Sequence, residues 1–206
     1  MIKLFFAKLY SFIYGFIHDK FHYNIRGLGF LLRRIEKHVL LDIPGEKVML
    51  LHHDVSTSYP RLINGNWAEP ETHLFLQRIL DLVNRAIFVD VGASIGEMVV
   101  DVAGFRNVEH VFAFEPTQIN ADVIRINSLI NNQTNVSVCN MALSNNVGTV
   151  WMEPNGTPQS QVSEVITATH SVAMKTTTLD EYYEKNIKNI ISLDTSMIIL
   201  IDVEGY

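Results

Sequence analysis

A single cysteine, Cys139, stands in 206 residues. One thiol cannot build a disulfide framework, so the chain must hold its shape by burial, and a reducing compartment suits it. Charge is also scarce: 18% of the residues are Asp, Glu, Lys or Arg, against 48% apolar. That balance belongs to a globular core rather than a disordered chain. Positive charge is the scarcer sign. The formal net charge of −6 argues against a general nucleic-acid binder, since nothing would offset phosphate repulsion. No uninterrupted apolar run approaches the roughly 18 residues that a membrane-spanning helix needs. Nor does a small-residue cleavage site follow the apolar N-terminus, as a secretory signal requires.

What is present is unevenly placed. Residues 1–40 hold seven Lys/Arg against two Asp/Glu, a local +5 that leaves −11 for the remainder. The same stretch, "MIKLFFAKLYSFIYGFIHDKF", is crowded with Phe, Ile, Leu and Tyr. Two readings fit it: a helix packed on its own domain or on a sister subunit, or an interfacial helix resting on anionic lipid. The expected location is cytoplasmic, peripheral to a membrane under the second reading. We divide the chain into a basic, mainly helical extension over residues 1–68 and an α/β domain over residues 69–206.

Within the extension, residues 2–17 and 28–40 read as helices, and "EKVMLLHHDVST" as a short strand running into a polar turn. His52, His53 and Asp54 invite a metal, but neighbouring strand residues point to opposite faces and do not readily share an ion. "EPETHLFLQRILDLV" then sets Leu74, Leu76, Ile79, Leu80 and Val83 on one helical stripe.

From residue 86 the rhythm changes. "AIFVDV" is a short apolar strand ending in a glycine turn, and residues 96–105 are the following helix. "VEHVFAFEP" is a second strand. Residues 117–132 are a helix with Thr117 at its N-cap, and "NVSVCNMAL" is a third strand. Residues 147–175 read as strands with a hairpin, Thr178 to Asn189 as helix, and "SMIILIDVEGY" as a fourth strand of the main sheet. Apolar strands alternating with helices indicate a parallel sheet covered on both faces, a Rossmann-like α/β fold.

The turn "DVGASIGE" fits two machines. Read as Gly-x-Ser-x-Gly it is a nucleophile elbow with Ser94 attacking. That reading needs an acid and then a histidine downstream; Asp122 and His170 satisfy the order but neither sits at a strand end. Read as a cofactor cradle, the turn requires an acid closing the second strand about 20 residues on, to hold a ribose. Glu115 is nineteen residues after Gly96. Its two oxygens can accept bonds from both ribose hydroxyls. A pyrophosphate would favour a second glycine where Ser94 stands, and Asp90 is a poor neighbour for phosphates. A ligand with a cationic amino group and a sulfonium suits Asp90 better. S-adenosylmethionine is therefore the expected cofactor.

The motifs "FVDVGASIGE", "VFAFEP", "NMALSN", "TTTLDEYY" and "ILIDVEGY", in that order, resemble the FkbM family of methyltransferases over roughly residues 69–206. The resemblance implies a class I, Rossmann-like fold and methylation of oxygen on a sugar or natural product. It would place Asp90, Gly92, Ala93, Ser94 and Gly96 around the methionine part of the cofactor, Glu115 on the ribose, and Met141 and Ala142 beside the adenine. Asp202 and Glu204 would lie next to the transferable methyl as catalytic candidates, with a divalent cation as an aid to deprotonating the acceptor hydroxyl. The family usually has Asn where this chain has Ser94. The first 68 residues show no such resemblance.

Two readings from other classes stand beside it: an NAD-binding oxidoreductase, and a non-catalytic scaffold that binds partners through its basic N-terminus. The run Ile198, Ile199, Leu200, Ile201 has the pattern of a central strand with a neighbour on each side. Similar proteins continue past the Asp202-Val203-Glu204-Gly205 motif with further strands. The expectation is that these residues are a fragment with an open sheet edge, retaining the cofactor turn but little methyltransferase activity.

Overall fold

The computed structural model describes residues 9, 12, 16, 20, 38–52, 61–62, 64–152, 162–163 and 172–203. The chain divides into two compact units, Met1–His73 and Leu74–Tyr206.

In the first unit, Leu9, Phe12, Phe16 and Lys20 are helical and exposed. The rest of the helix expected at 2–17 lies outside the described residues. The expected helix over 28–40 is corrected at its end, where residues 38–40 open a strand. Strand β1 (His38–Ile43) pairs antiparallel with β2 (Lys47–His52), Leu41 opposite Met49. Its residues alternate with period two: Leu41 and Ile43 are buried while Leu40 and Asp42 face out. That is a strand pattern. His53 and Asp54 lie outside the described residues.

Helix α1 (Pro70–Leu80) leads into the second unit. Its buried positions are His73, Leu76 and Leu80, spaced by three and four, whereas Leu74 is exposed. The expected stripe is therefore rotated by about one position. The parallel sheet runs in the order β10-β3-β4-β5. Its strands are β3 (Arg85–Val91), β4 (Val108–Phe114), β5 (Val136–Cys139) and β10 (Thr195–Ile201). Helices α2 (Glu97–Val102) and α3 (Gln118–Ile130) make the crossovers.

Successive residues of β3 feed opposite cores, as the pleat dictates. Ala86 and Phe88 join Leu76, Leu80, Val99 and Ile124 on one face. Ile87, Val89 and Val91 join Phe112, Phe114, Cys139 and Ile187 on the other. Burying a side chain of this size contributes about 1.5–3 kcal/mol, and the central strands contribute to both layers at once. Side-chain amides take the carbonyls left over where helices end. Asn107 donates to Leu80 O and Val83 O, and Asn135 to Ala103 O.

The third strand does not run on as expected. It stops at Cys139, and β6 (Ala142–Leu143) belongs to a second sheet of order β6-β9-β7-β8. That sheet also holds β7 (Gly148–Met152), β8 (Val162–Ser163) and β9 (Val172–Thr177). Asn140 and Met141 form the break between the two sheets. Helix α4 (Leu179–Tyr182) starts at Thr178, whose Oγ1 accepts from Glu181 N at 3.0 Å. A π-helical turn, Tyr183–Ile187, extends it and buries Ile187 completely.

The fourth strand forms, but its two faces are not both covered. Among the described residues β10 pairs only with β3. Ile201 is 65% exposed and Ile199 37%.

Candidate functional site

The carboxyl ends of β3, β4 and β10 meet at the glycine turn. Gly92 has φ +88°, and a Cβ there would lie 2.1 Å from Asp202 O. The position demands glycine because the backbone after β10 passes against it. Asp202 N also donates to Val91 O at 3.0 Å. Gly96 has φ +82°, and a Cβ on it would press on Ile124 of α3 at 3.1 Å. Both glycines therefore serve packing of the turn against its own protein. Ser94, at the exposed tip, has φ +50°. Asn adopts that left-handed region more readily than most side chains, so the Asn that the resemblance leads one to expect would suit this backbone as well as Ser94 does.

The turn's amides are directed inward. Gly92 N and Ala93 N both donate to Phe114 O at 3.0 Å, and Gly96 N donates to Ala93 O at 2.7 Å. Ser94 N donates to Glu115 Oε2 at 3.0 Å. Four amides that a phosphate-binding loop would offer to its ligand are thus already engaged.

Glu115 is only 5% exposed. Its Oε1 accepts from Thr117 N at 2.8 Å, so one carboxylate ties together the turns after β3 and β4. Burial pushes its pKa up, and the bonds from Thr117, Ser94 and Asn120 oppose that shift. Amides solvate a carboxylate without cancelling its charge. Asp90, two residues before Gly92, is buried as well at 2% exposure. Two buried acids therefore lie at the ends of adjacent strands.

The remaining expected residues are distributed around this centre. Met141 is half-buried, its N donating to Cys139 O at 2.8 Å, and packs against the core that holds Phe112, Phe114 and Cys139. Ala142 is half-buried at the start of β6, paired with Thr176. Asp202 is exposed just beyond β10. Glu204 lies outside the described residues, as does His170. Among the described residues no three His, Cys, Asp or Glu side chains gather as a metal site, so the divalent cation gains no support.

The nucleophile elbow is not assembled among the described residues. Asp122 sits on the exposed side of α3, bonded to Gln118 at 2.9 Å and Arg125 at 2.8 Å. His110 is half-buried and bonded to Ser137 Oγ at 2.8 Å; burial lowers its pKa. Thr117 does occupy the N-cap of α3, yet its side chain makes no capping bond to the helix.

Three residues were missed in the sequence reading. Asn127 is fully buried, and its Nδ2 donates to Ile95 O at 2.9 Å. Asn140 donates to Glu115 O and Pro116 O, each at 3.0 Å. Tyr182 places its hydroxyl 2.8 Å from the buried Cys139 thiol and its ring edge against Phe114. Burial raises the pKa of both groups. A signal existed for Asn127: a polar residue in step with Ala121 and Ile124 on the apolar face of a helix.

The family model for the methyltransferase FkbM domain matches residues 90–206. The chain belongs to the FkbM methyltransferase family. The match begins at Asp90 and takes in the turn, Glu115, β10 and Asp202. No curated protein matches this chain. Among solved structures it is similar to methyltransferase FkbM from Methylobacillus flagellatus KT, at 19% identity and a TM-score of 0.38, covering 75% of this chain and 37% of that one. It is also similar to M. jannaschii TYW2 in complex with AdoMet (19% identity, TM-score 0.38, 50% and 42% covered). A third likeness is to the Pyrococcus abyssi tRNA (uracil-54, C5)-methyltransferase with S-adenosyl-L-homocysteine (18%, TM-score 0.34, 50% and 24%). The chain thus spans well under two thirds of the length of each of these proteins.

Proposed function

We propose that this chain binds S-adenosylmethionine at the carboxyl ends of β3 and β4 and serves O-methylation of a sugar or other small-molecule hydroxyl. The observation that carries the reading is the combination of inward-turned amides and buried acids. The amides of Gly92, Ala93, Ser94 and Gly96 are all bonded within the protein, so the turn offers no row of donors to a pyrophosphate. Buried Asp90 and Glu115 instead make this end of the sheet negative, which suits an amino group and a sulfonium. The donor set fits the methyl donor and disfavours a dinucleotide.

In this reading the cofactor supplies an electrophilic methyl group, and the chain supplies alignment. The turn from Gly92 to Gly96 surrounds the amino-acid part. Glu115 accepts amide bonds from Ser94 N and Thr117 N and side-chain bonds from Thr117 and Asn120; a ribose hydroxyl takes the place of a side-chain partner in this reading. Met141 and Ala142 border the adenine. Asp202, exposed beyond β10, is the residue assigned to take the acceptor's proton in this reading, and Glu204 is the second candidate. Calorimetry of the 206-residue chain with S-adenosylmethionine and NAD tests the reading. Binding of the first alone is expected; binding of NAD alone, or of neither, defeats it.

The basic N-terminus is proposed to rest on an anionic membrane surface. Support comes from its +5 charge and from exposed Leu9, Phe12 and Phe16. Among the described residues no helix is long and apolar enough to cross a membrane. Deleting residues 1–20 should reduce binding to phosphatidylserine vesicles while leaving cofactor affinity intact. Unchanged vesicle binding would remove this part of the proposal.

A further inference from the structure

Two asparagines outside the glycine turn bond to its backbone and to that of the neighbouring turn. On α3, Asn127 follows Ile124 by three residues and shares its face. Ile124 lies against Gly96, where an added Cβ would meet it at 3.1 Å, and Asn127 Nδ2 donates to Ile95 O at 2.9 Å. The Ile95–Gly96 peptide is therefore held from both sides, its carbonyl by Asn127 and its N–H by Ala93 O at 2.7 Å. A polar side chain buried on an apolar helix face is costly unless its bonds are made. Here its bond goes to the turn.

Asn140 does the corresponding task at the other strand. It occupies the break between β5 and β6, and its amide donates to Glu115 O and Pro116 O at 3.0 Å each. This fixes the backbone from which the Glu115 side chain departs. Asn127 and Asn140 come from different elements and touch different turns.

We propose that Asn127 and Asn140 are positioning residues that divide the cofactor site between them. Asn127 sets the turn that receives the amino-acid part of S-adenosylmethionine, and Asn140 sets Glu115 and with it the adenosine part. This assignment rests on the S-adenosylmethionine reading of the site.

The test compares two ligands on the 206-residue chain by calorimetry. They are S-adenosylmethionine and 5′-methylthioadenosine, which keeps the adenosine and the sulfur but lacks the amino acid. Asn127→Leu should lower S-adenosylmethionine affinity by about ten-fold or more while leaving methylthioadenosine within about two-fold. Asn140→Ala should lower both by the same factor. A merely structural role for Asn127 would move both ligands together in its variant, and thermal melts run alongside show whether each variant is folded. For Asn140, action through Glu115 predicts that adding Asn140→Ala to Glu115→Ala lowers affinity no further, whereas a merely structural role lowers it again by the same factor and overturns the assignment. Should the leucine variant not fold, Asn127→Ser withdraws the reach to Ile95 O without adding bulk and answers the same question. Equal losses for both ligands in the folded Asn127 variant, or no loss, overturn the division. If the unsubstituted chain binds neither ligand, the cofactor reading fails and the division falls with it. If it binds both and the variants do not separate them, only the division fails.

Discussion

The two ends of the same sheet handle carboxylates in opposite ways. At the amino ends of β3 and β4, Arg85 Nε donates to Glu109 Oε1 at 2.7 Å and the same guanidinium reaches Asp194 at 3.4 Å. Thr195 Oγ1 adds a bond to Glu109 at 3.4 Å. These groups are well exposed, with Asp194 at 65%. At the carboxyl ends Glu115 is 5% exposed, and its bonded partners there, Ser94 N and Thr117 N, are uncharged amides. In the first arrangement opposite charges cancel and water screens what is left, so it aligns β3, β4 and β10 and contributes little. In the second the charge is held but not cancelled. That contrast is what supports the proposed cofactor site at the carboxyl ends.

Substitutions sharpen the contrast. The largest effect is expected at Gly92→Ala, because the new Cβ would lie 2.1 Å from Asp202 O. The left-handed backbone alone costs about 1–2 kcal/mol, and displacement of the β10 terminus adds to it. Urea unfolding should show a loss beyond that range; a loss within it would mean that the end of β10 gives way easily.

Next comes Glu115. Changing it to Ala should weaken S-adenosylmethionine binding by about 1.5–3 kcal/mol, the range for bonds to a charged group. Unchanged affinity would remove the ribose assignment. The same residue gives a pH signature. Burial raises its pKa above the ordinary 4.5, so in that window the folded state holds a proton that the unfolded chain has released. Stability must then fall as pH rises from about 4.5 through the raised value. Affinity for S-adenosylmethionine should rise over the same window, since the carboxylate is the better acceptor. Glu115→Gln should abolish both trends, and a variant that kept them would assign the titration to another group.

The smallest effect belongs to the other end. Arg85→Ala should leave cofactor affinity unchanged and give the least change in melting temperature of the series. A clear loss of affinity would mean that the two ends are coupled through β3.

Most of the sheet was legible from residue order, because strands buried on both faces need continuous apolar runs and β3 and β4 supply them. The turn and Glu115 were legible from spacing, and the family match beginning at Asp90 falls on the same motifs. Other features lay beyond the sequence. The break at Asn140 and Met141 could not be read, since Asn140 alone interrupts the apolar residues from Val138 to Leu143 while the chain changes sheets. The hairpin from His38 was hidden because a short apolar run fits either period. Gly92 signals a positive φ by its type, but that it makes room for Asp202 depends on a contact 110 residues distant. Asn127 was the readable signal that went unused, since its polarity contradicts the helix face on which it lies.

The central claim is that the carboxyl ends of β3 and β4 receive S-adenosylmethionine through the glycine turn and Glu115. A crystal structure of the chain with S-adenosylmethionine bound tests it most directly. The account predicts ribose hydroxyls within hydrogen-bond distance of Glu115 and the amino-acid part enclosed by the turn from Gly92 to Gly96. A ligand bound elsewhere, with Glu115 still bonded only to protein groups, would contradict it.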